Sequence, residues 1–339
     1  MTDRRPCALL AMSPDLPARL FDPPALERMA RIAKVDTTLV IDDLTLPRGR
    51  AALAEAEVLL TSWGAPLLDQ EALRGAPNLR AVVHAAGSIK HHVTAACWER
   101  GLAVSSAAAA NAVPVAEYTT AAIVMANKRV FPIRARFREA PAVQGPDWMP
   151  IYPQMGNYDK VIGVVGCSTI GRLVIEAVNR MGMRVLVYDP YLDPIEAARL
   201  GAVPVDLDTL VSDSDVVTLH APATPETSHM MDGRRLSLMR DGATLINTAR
   251  GSLVDTDALT AELSTGRISA VIDVTEPEIL PADSPLLSLE NVLLTPHIAG
   301  SLGTEMRRMG QAALDELERY AQGLPFAHPV MPERLAHSA

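Results

Sequence analysis

VIGVVGCSTIG, residues 161–171, sets a run of β-branched and small apolar residues directly against closely spaced glycines. Val161, Ile162, Val164 and Val165 form the continuous apolar run expected of a parallel strand buried on both faces. Gly166 and Gly171 hold the first and third places of a G-x-G-x-x-G fingerprint, and Arg172 to Met181 continues as an amphipathic helix. Strand, glycine turn and helix in this order predict a dinucleotide cradle, with Thr169 and Ile170 opening a helix N-terminus whose free N–H groups suit a pyrophosphate. The middle place is Ser168, where a glycine would let the backbone approach the ligand more closely. A plain tight strand-to-helix turn stays open as the alternative.

Downstream, RVLVY (184–188) reads as the next strand, with Asp189 at its end. A carboxylate there accepts hydrogen bonds from the adenosine ribose hydroxyls and repels a 2′-phosphate. Pro190, Tyr191, Leu192 and Asp193 offer no cation to receive one. The expected cofactor is therefore NAD rather than NADP.

The chain of 339 residues suffices for two domains. Hydrophobic residues make up 48% and charged residues 21%, with a formal net charge of −9 and no basic cluster. That balance argues against nucleic acid or an anionic membrane as partner. The three cysteines, Cys7, Cys97 and Cys167, are odd in number and widely spaced, which fits a reducing cytoplasm. The apolar run after Arg5 is too short for a signal peptide core, and no run approaches a membrane span.

From Cys7 to Val104 short apolar runs alternate with longer mixed ones. Strands are expected at 7–12, 37–41, 58–61, 81–84 and 103–104, with helices at 24–32, 67–73 and 91–100 and Asp69 as a cap. This alternation predicts a parallel sheet with helices on both faces. Pro114 fits the first turn of a long helix running towards Arg129. Residues 131–160, with five prolines and Trp148, read as an irregular arm that wraps a second subunit or covers its own domain. A second α/β series starts at Val161, with later strands at 216–219, 244–246, 270–272 and 292–294. An amphipathic helix is expected from 304 to 322.

Each later strand ends in a group of chemical interest: HAPATPET with His220, Ala221 and Pro222; NTARG with Thr248, Ala249 and Arg250; DVTEPE; and TPHIAG. Ligands of open parallel sheets sit outside the carboxyl ends of the strands, so these groups should meet at one crevice. Hydride transfer to a 2-keto acid needs a cation for the carboxylate, a proton donor for the carbonyl oxygen and a group that tunes the donor. Arg250, His297 and Glu278 supply these types: a planar donor fork, an imidazole that titrates near working pH, and a carboxylate that holds it. Taken singly, a helix-capping arginine, a solvated glutamate and a turn histidine are the bland readings. No histidine pair has metal-ligand spacing, His91 and His92 being adjacent on an expected helix, so no metal is expected.

The blocks GVVGCSTIGR, YDP, LHAPATPET, INTARGSLVD, DVTEPE and LLTPHIAGS, in this order, resemble the D-isomer-specific 2-hydroxyacid dehydrogenase family across nearly the whole chain. The resemblance, closest in kind to hydroxypyruvate and glyoxylate reductases, implies a Rossmann-type doubly wound cofactor domain (109–302) and a smaller flavodoxin-like substrate domain built from 1–108 and 303–339. It also implies a homodimer, a small 2-keto or 2-hydroxy acid substrate, and the roles of anchor for Arg250, acid/base for His297 and partner carboxylate for Glu278. Glu276, before Pro277, competes for the last role, but Glu278 has the family's spacing to the histidine. The same resemblance gives the substrate carboxylate to the backbone N–H groups of Gly87 and Ser88 and a substrate contact to Trp63. Asn111 is placed near the nicotinamide, Asp273 against the carboxamide or its ribose, and Thr248 along the pocket. Ser168 and Ile279 depart from the family's glycine and proline. An NAD-sensing regulator with little turnover remains an alternative, whereas formate enzymes of this kind carry glutamine where this chain has Glu278.

Overall fold

A computed structural model describes residues 5–139 and 141–335, so His337 lies outside the described residues. The chain forms two compact α/β units, residues 5–112 with 301–335, and residues 113–300. In the first unit β1 (Ala8–Ala11), β2 (Val40–Ile41), β3 (Val58–Thr61), β4 (Ala81–His84) and β5 (Ala103–Ser106) make one sheet. Its strand order is β2-β1-β3-β4-β5 and every pairing is parallel, the flavodoxin-like arrangement. Successive side chains of a strand point to opposite faces, so Leu10, Leu60 and Val83 pack with Leu20, Phe21 and Met29, while Leu9, Leu59 and Val82 pack with Leu53, Leu68 and Leu79.

The helix Met306–Ala321 adds Met306, Met309, Leu314 and Leu317 to the first of those faces. Its approach is fixed by Gly310, where a Cβ would stand 2.1 Å from the Leu20 carbonyl oxygen. Arg28 supports the same packing from its edge, 2.8 Å from Asp315.

In the second unit β6 (Val161–Val165), β7 (Arg184–Tyr188), β8 (Ala202–Pro204), β9 (Val216–Leu219), β10 (Thr244–Asn247), β11 (Ser269–Ile272) and β12 (Val292–Leu294) form a seven-stranded sheet. The order β12-β11-β10-β9-β6-β7-β8 is parallel throughout and reverses direction between β6 and β9, the doubly wound Rossmann pattern. Ile162 and Val164 face Ile123, Val174, Ile175 and Val178; Val165, Leu219 and Leu245 face Leu210, Leu236 and Leu253. Burial on both faces explains why these strands read as unbroken apolar runs. Among the described residues no helix is long and apolar enough to cross a membrane.

Several expected elements are corrected. Residues 131–160 are not irregular throughout: a helix covers Val130–Glu139 and a 3-10 turn Gly145–Trp148. Pro132 falls in the first helical turn, where no backbone N–H is needed, so it does not break the helix. Pro114 lies inside the helix Ala108–Asn127 rather than in its first turn, among alanines whose high helix propensity extends the element upstream. His91 and His92 lie in a turn, and the helix there is only Ala95–Glu99, because His92 turns inward to a polar contact described below. Leu68 is held by a bridge to Val93, so the neighbouring helix starts later, at Gln70, with Asp69 accepting from the Ala72 N–H at 2.8 Å.

Because a backbone oxygen cannot move aside as a flexible side chain can, Gly310→Ala is expected to destabilise the first unit by about 1–3 kcal/mol, the usual scale of overpacking. Gly145→Ala, with nothing within 4 Å of the added carbon, is expected to stay within about 0.5 kcal/mol of the parent. Urea unfolding followed by circular dichroism checks both.

Candidate active site

Gly166 follows β6 at φ +93°, and a Cβ there would stand 2.6 Å from the Ala221 nitrogen. At Gly171 a Cβ would lie 2.1 Å from the Gly166 oxygen, so the helix Thr169–Arg180 closes against the turn itself. Ser168, by contrast, has an ordinary φ of −66° and caps the helix, its Oγ accepting from the Gly171 N–H at 3.3 Å. The middle position therefore needs no glycine conformation, and serine satisfies one of the helix's orphan donors. The amides of Thr169 and Ile170 still lack carbonyls a turn earlier, which leaves donors for a pyrophosphate. Asp189 stands at the end of β7 and accepts from the Cys167 N–H at 2.7 Å and the Tyr191 N–H at 2.9 Å, fixing the carboxylate beside the turn. His220 is buried next to Gly171; its Nε2 meets Thr218 Oγ1 at 3.0 Å while its Nδ1 has no partner. A cradle that a Cβ would fill, free helix amides and a fixed carboxylate fit a dinucleotide.

At the end of β10 the buried Asn247 shapes the next group, a role the sequence reading missed. Its Oδ1 accepts from the Ala249 N–H at 3.1 Å and its Nδ2 donates to the Arg250 carbonyl at 2.9 Å. Thr248 is buried and shares a hydrogen bond with Thr119, 2.9 Å away. The Arg250 guanidinium donates to the Ala249 carbonyl at 2.6 Å and pairs with no carboxylate among the described residues. Gly251 follows, and a Cβ there would lie 2.1 Å from the Thr275 carbonyl carbon, so the arginine turn presses on the backbone of the DVTEPE loop.

That loop and the next bring Glu278 and His297 together. His297 Nδ1 lies 2.6 Å from Glu278 Oε1, with both side chains about half exposed at 52% and 61%. Glu276 stands instead 3.6 Å from His229 Nε2. His297 has φ +55°, in the left-handed region that a non-glycine residue rarely adopts. Asp273 is buried, and its carboxylate is committed to this loop: Oδ1 accepts from Thr295 Oγ1 at 2.6 Å and from the Ile298 N–H at 2.8 Å, Oδ2 from the Ala299 N–H at 2.8 Å. Asp273 therefore holds the chain that carries His297, and Oδ2, with a single donor, keeps a lone pair for a further one.

In the first unit Trp63 is partly exposed, and Gly87 and Ser88 follow β4. Asn111 lies in this unit, its Nδ2 beside Gly87 and its Oδ1 accepting from the Ser301 N–H at 3.0 Å. Beneath these loops, Thr61 Oγ1 stands 2.9 Å from His84 Nδ1 and 3.2 Å from His92 Nε2, all three residues being buried. Among the described residues no group of three His, Cys, Asp or Glu is placed to hold a metal.

Residues 120–299 match the family model described as D-isomer specific 2-hydroxyacid dehydrogenase, NAD binding domain. The chain belongs to that family, and its cofactor is NAD. It is 33% identical to the (S)-sulfolactate dehydrogenase of Chromohalobacter salexigens, over 91% of this chain and 98% of that protein. It is 34% identical to the glyoxylate reductase of Korarchaeum cryptofilum, over 76% of this chain and 77% of that one. Against the D-3-phosphoglycerate dehydrogenase of Archaeoglobus fulgidus the identity is 32%, and the chain spans only about half of that protein's length, 49%. Among solved structures, D-lactate dehydrogenase from Aquifex aeolicus, complexed with NAD and lactic acid, aligns with a TM-score of 0.70 at 28% identity, over 93% of this chain and 96% of that one.

The buried histidines make stability depend on pH. Burial pushes His84 down to about 3, with His92 adding to the effect, His92 itself down to about 4, and His220 down to about 3. All three stay neutral when folded, whereas unfolded imidazoles take up protons below about 6.5. Their contribution is therefore complete above that pH and is lost as pH falls towards 4 and 3. The melting temperature is expected to decline already between about pH 6.5 and 5, before most carboxylates titrate, and His92→Gln should flatten that decline in a thermal scan.

Proposed function

We propose that this chain interconverts a small 2-keto acid and its D-2-hydroxy acid with NAD(H), with His297 as acid/base and Arg250 as substrate anchor. The observation that supports this most directly is the 2.6 Å pair of His297 Nδ1 and Glu278 Oε1 on a loop that Asp273 holds in place. Bound NADH supplies the hydride that adds to the keto carbon. As that bond forms, the carbonyl electron pair moves onto oxygen, and a donor must neutralise it. Since a carboxylate only accepts, Nδ1 carries a proton towards Glu278, and Nε2 is the ring atom left to deliver the other to the substrate. After delivery the neutral Nδ1–H tautomer is still held by Glu278. Arg250, whose donors are not taken up by any carboxylate among the described residues, grips the substrate carboxylate and shares the growing charge. In the first unit, the amides of Gly87 and Ser88 are proposed as carboxylate ligands and Trp63 as a substrate contact.

Homodimer formation is part of the same reading. The helix Val130–Glu139 buries none of its side chains, Phe137 is 43% exposed, and a cavity of about 540 Å³ opens between it and β12, lined by Phe131, Arg134, Arg138 and Val292. A cytoplasmic setting is supported by three free cysteines.

Following NADH loss across a panel of 2-keto acids, including glyoxylate and hydroxypyruvate, tests the activity. His297→Ala should lower kcat on the order of 10²–10⁴-fold with little change in cofactor affinity. Glu278→Gln should lower kcat clearly and Glu276→Gln hardly at all; the reverse order would make Glu276 the functional carboxylate. For the cofactor, NADH should outperform NADPH in kcat/KM, and Asp189→Ala should narrow the gap; equal efficiency in the unmutated protein would remove Asp189 from this role.

A further inference from the structure

The left-handed backbone of His297 needs support beyond its own peptide bonds, because non-glycine residues keep such conformations only where the surroundings over-determine them. The support is a short relay. Both Asp273 oxygens already accept backbone N–H groups, from Ile298 and Ala299, so they act as acceptors, and Thr295 Oγ1 at 2.6 Å must donate to Oδ1. A hydroxyl has one proton, so the Tyr118 hydroxyl, 2.8 Å from Thr295 Oγ1, must be the donor in that pair. The direction is fixed from end to end: Tyr118 to Thr295, Thr295 to Asp273, with Asp273 receiving the loop amides on either side. The Asp273 carbonyl completes the frame by accepting from the His297 N–H at 2.8 Å. Tyr118 sits on the helix Ala108–Asn127 and is half-buried, its hydroxyl raised in pKa by burial, so it keeps its proton as a donor.

We infer that Tyr118 and Thr295 are positioning residues for His297, acting through Asp273 to hold the imidazole against Glu278. The inference rests on the proposed acid/base role of His297. Neither hydroxyl needs to touch the substrate. Losing the Thr295 hydroxyl would leave Oδ1 with a single donor and free the loop to relax out of the left-handed conformation. Losing the Tyr118 hydroxyl would keep that donor but remove the bond that orients it, so its effect should be the smaller.

The test compares full-length wild type, Thr295→Val, Thr295→Ser and Tyr118→Phe in two measurements. The first is hydrogen–deuterium exchange of the peptide covering residues 295–299 without ligands. The second is NADH-dependent reduction of the best keto acid from the panel. Thr295→Val should accelerate exchange of the loop amides and lower kcat about 10-fold or more with KM for NADH within about 2-fold, as expected when a reacting group is misplaced while the cofactor cradle stays intact. Thr295→Ser should restore both, and Tyr118→Phe should fall between. Unchanged exchange and kcat in a folded Thr295→Val protein would overturn the inference, as would a Thr295→Ser protein no better than Thr295→Val. If Thr295→Val does not fold, faster loop exchange in Tyr118→Phe, absent from Thr295→Ser, supports it and unchanged exchange in Tyr118→Phe overturns it. If wild type reduces no keto acid, the functional reading fails separately, and the exchange measurement alone still decides whether the relay holds the loop.

Discussion

The approach of the helix Thr169–Arg180 to the end of β6 leaves no room for a side chain. A Cβ at Gly171 would fall on the Gly166 carbonyl and one at Gly166 on the backbone of β9's exit. Three backbones meet there, from β6, from the helix, and from the chain that leaves β9 through His220 and Ala221. Their closeness places the helix N-terminus at the point where the strand order reverses, which is where the amides of Thr169 and Ile170 can serve a phosphate. The remaining candidate groups follow from strand order, since the ends of β10 and β11 and the exit of β12 lie in sequence beyond β9. The sheet thus puts the nucleotide cradle and the Glu278–His297 pair on one unit and one edge.

Much of this was legible because parallel strands buried on both faces are nearly continuous apolar runs, visible as VIGVV, VVTL and TLIN. The meeting of Glu278 with His297 was legible through the family resemblance, whose spacing singled out Glu278 over Glu276. What the sequence hid were interactions whose partners are distant in the chain. Tyr118 looks like any aromatic on an alanine-rich helix until Thr295 is found 2.8 Å away, 177 residues later. Asp273 read as a cofactor residue through the family resemblance alone, and its hold on Thr295, Ile298 and Ala299, more than twenty residues later, could not be read from the sequence. Ser168 looked like a defect of the fingerprint, whereas its backbone is ordinary and its hydroxyl caps the helix.

Helix boundaries were least legible where a side chain's tertiary partner outweighed local preference. Residues 91–92 have no helix-breaking neighbour, but the inward turn of His92 to Thr61 draws the chain into a turn and delays the helix to Ala95. Pro132 misled in the other direction, since a proline is harmless in a first turn.

The hydroxyl of Thr61 has a single proton and faces nitrogen atoms of two neutral rings. If it donates to His84 Nδ1, the proton of that ring must sit on Nε2, the buried atom that has no partner. If it donates to His92 Nε2, His84 keeps its proton on Nδ1 and returns it to Thr61, and His84 Nε2 becomes a bare lone pair. In either arrangement the proton position on one ring is tied to the way the Thr61 hydroxyl points. The two imidazoles are therefore not independent: each meets the other through one threonine hydroxyl, and a substitution at position 61 would release both rings at once.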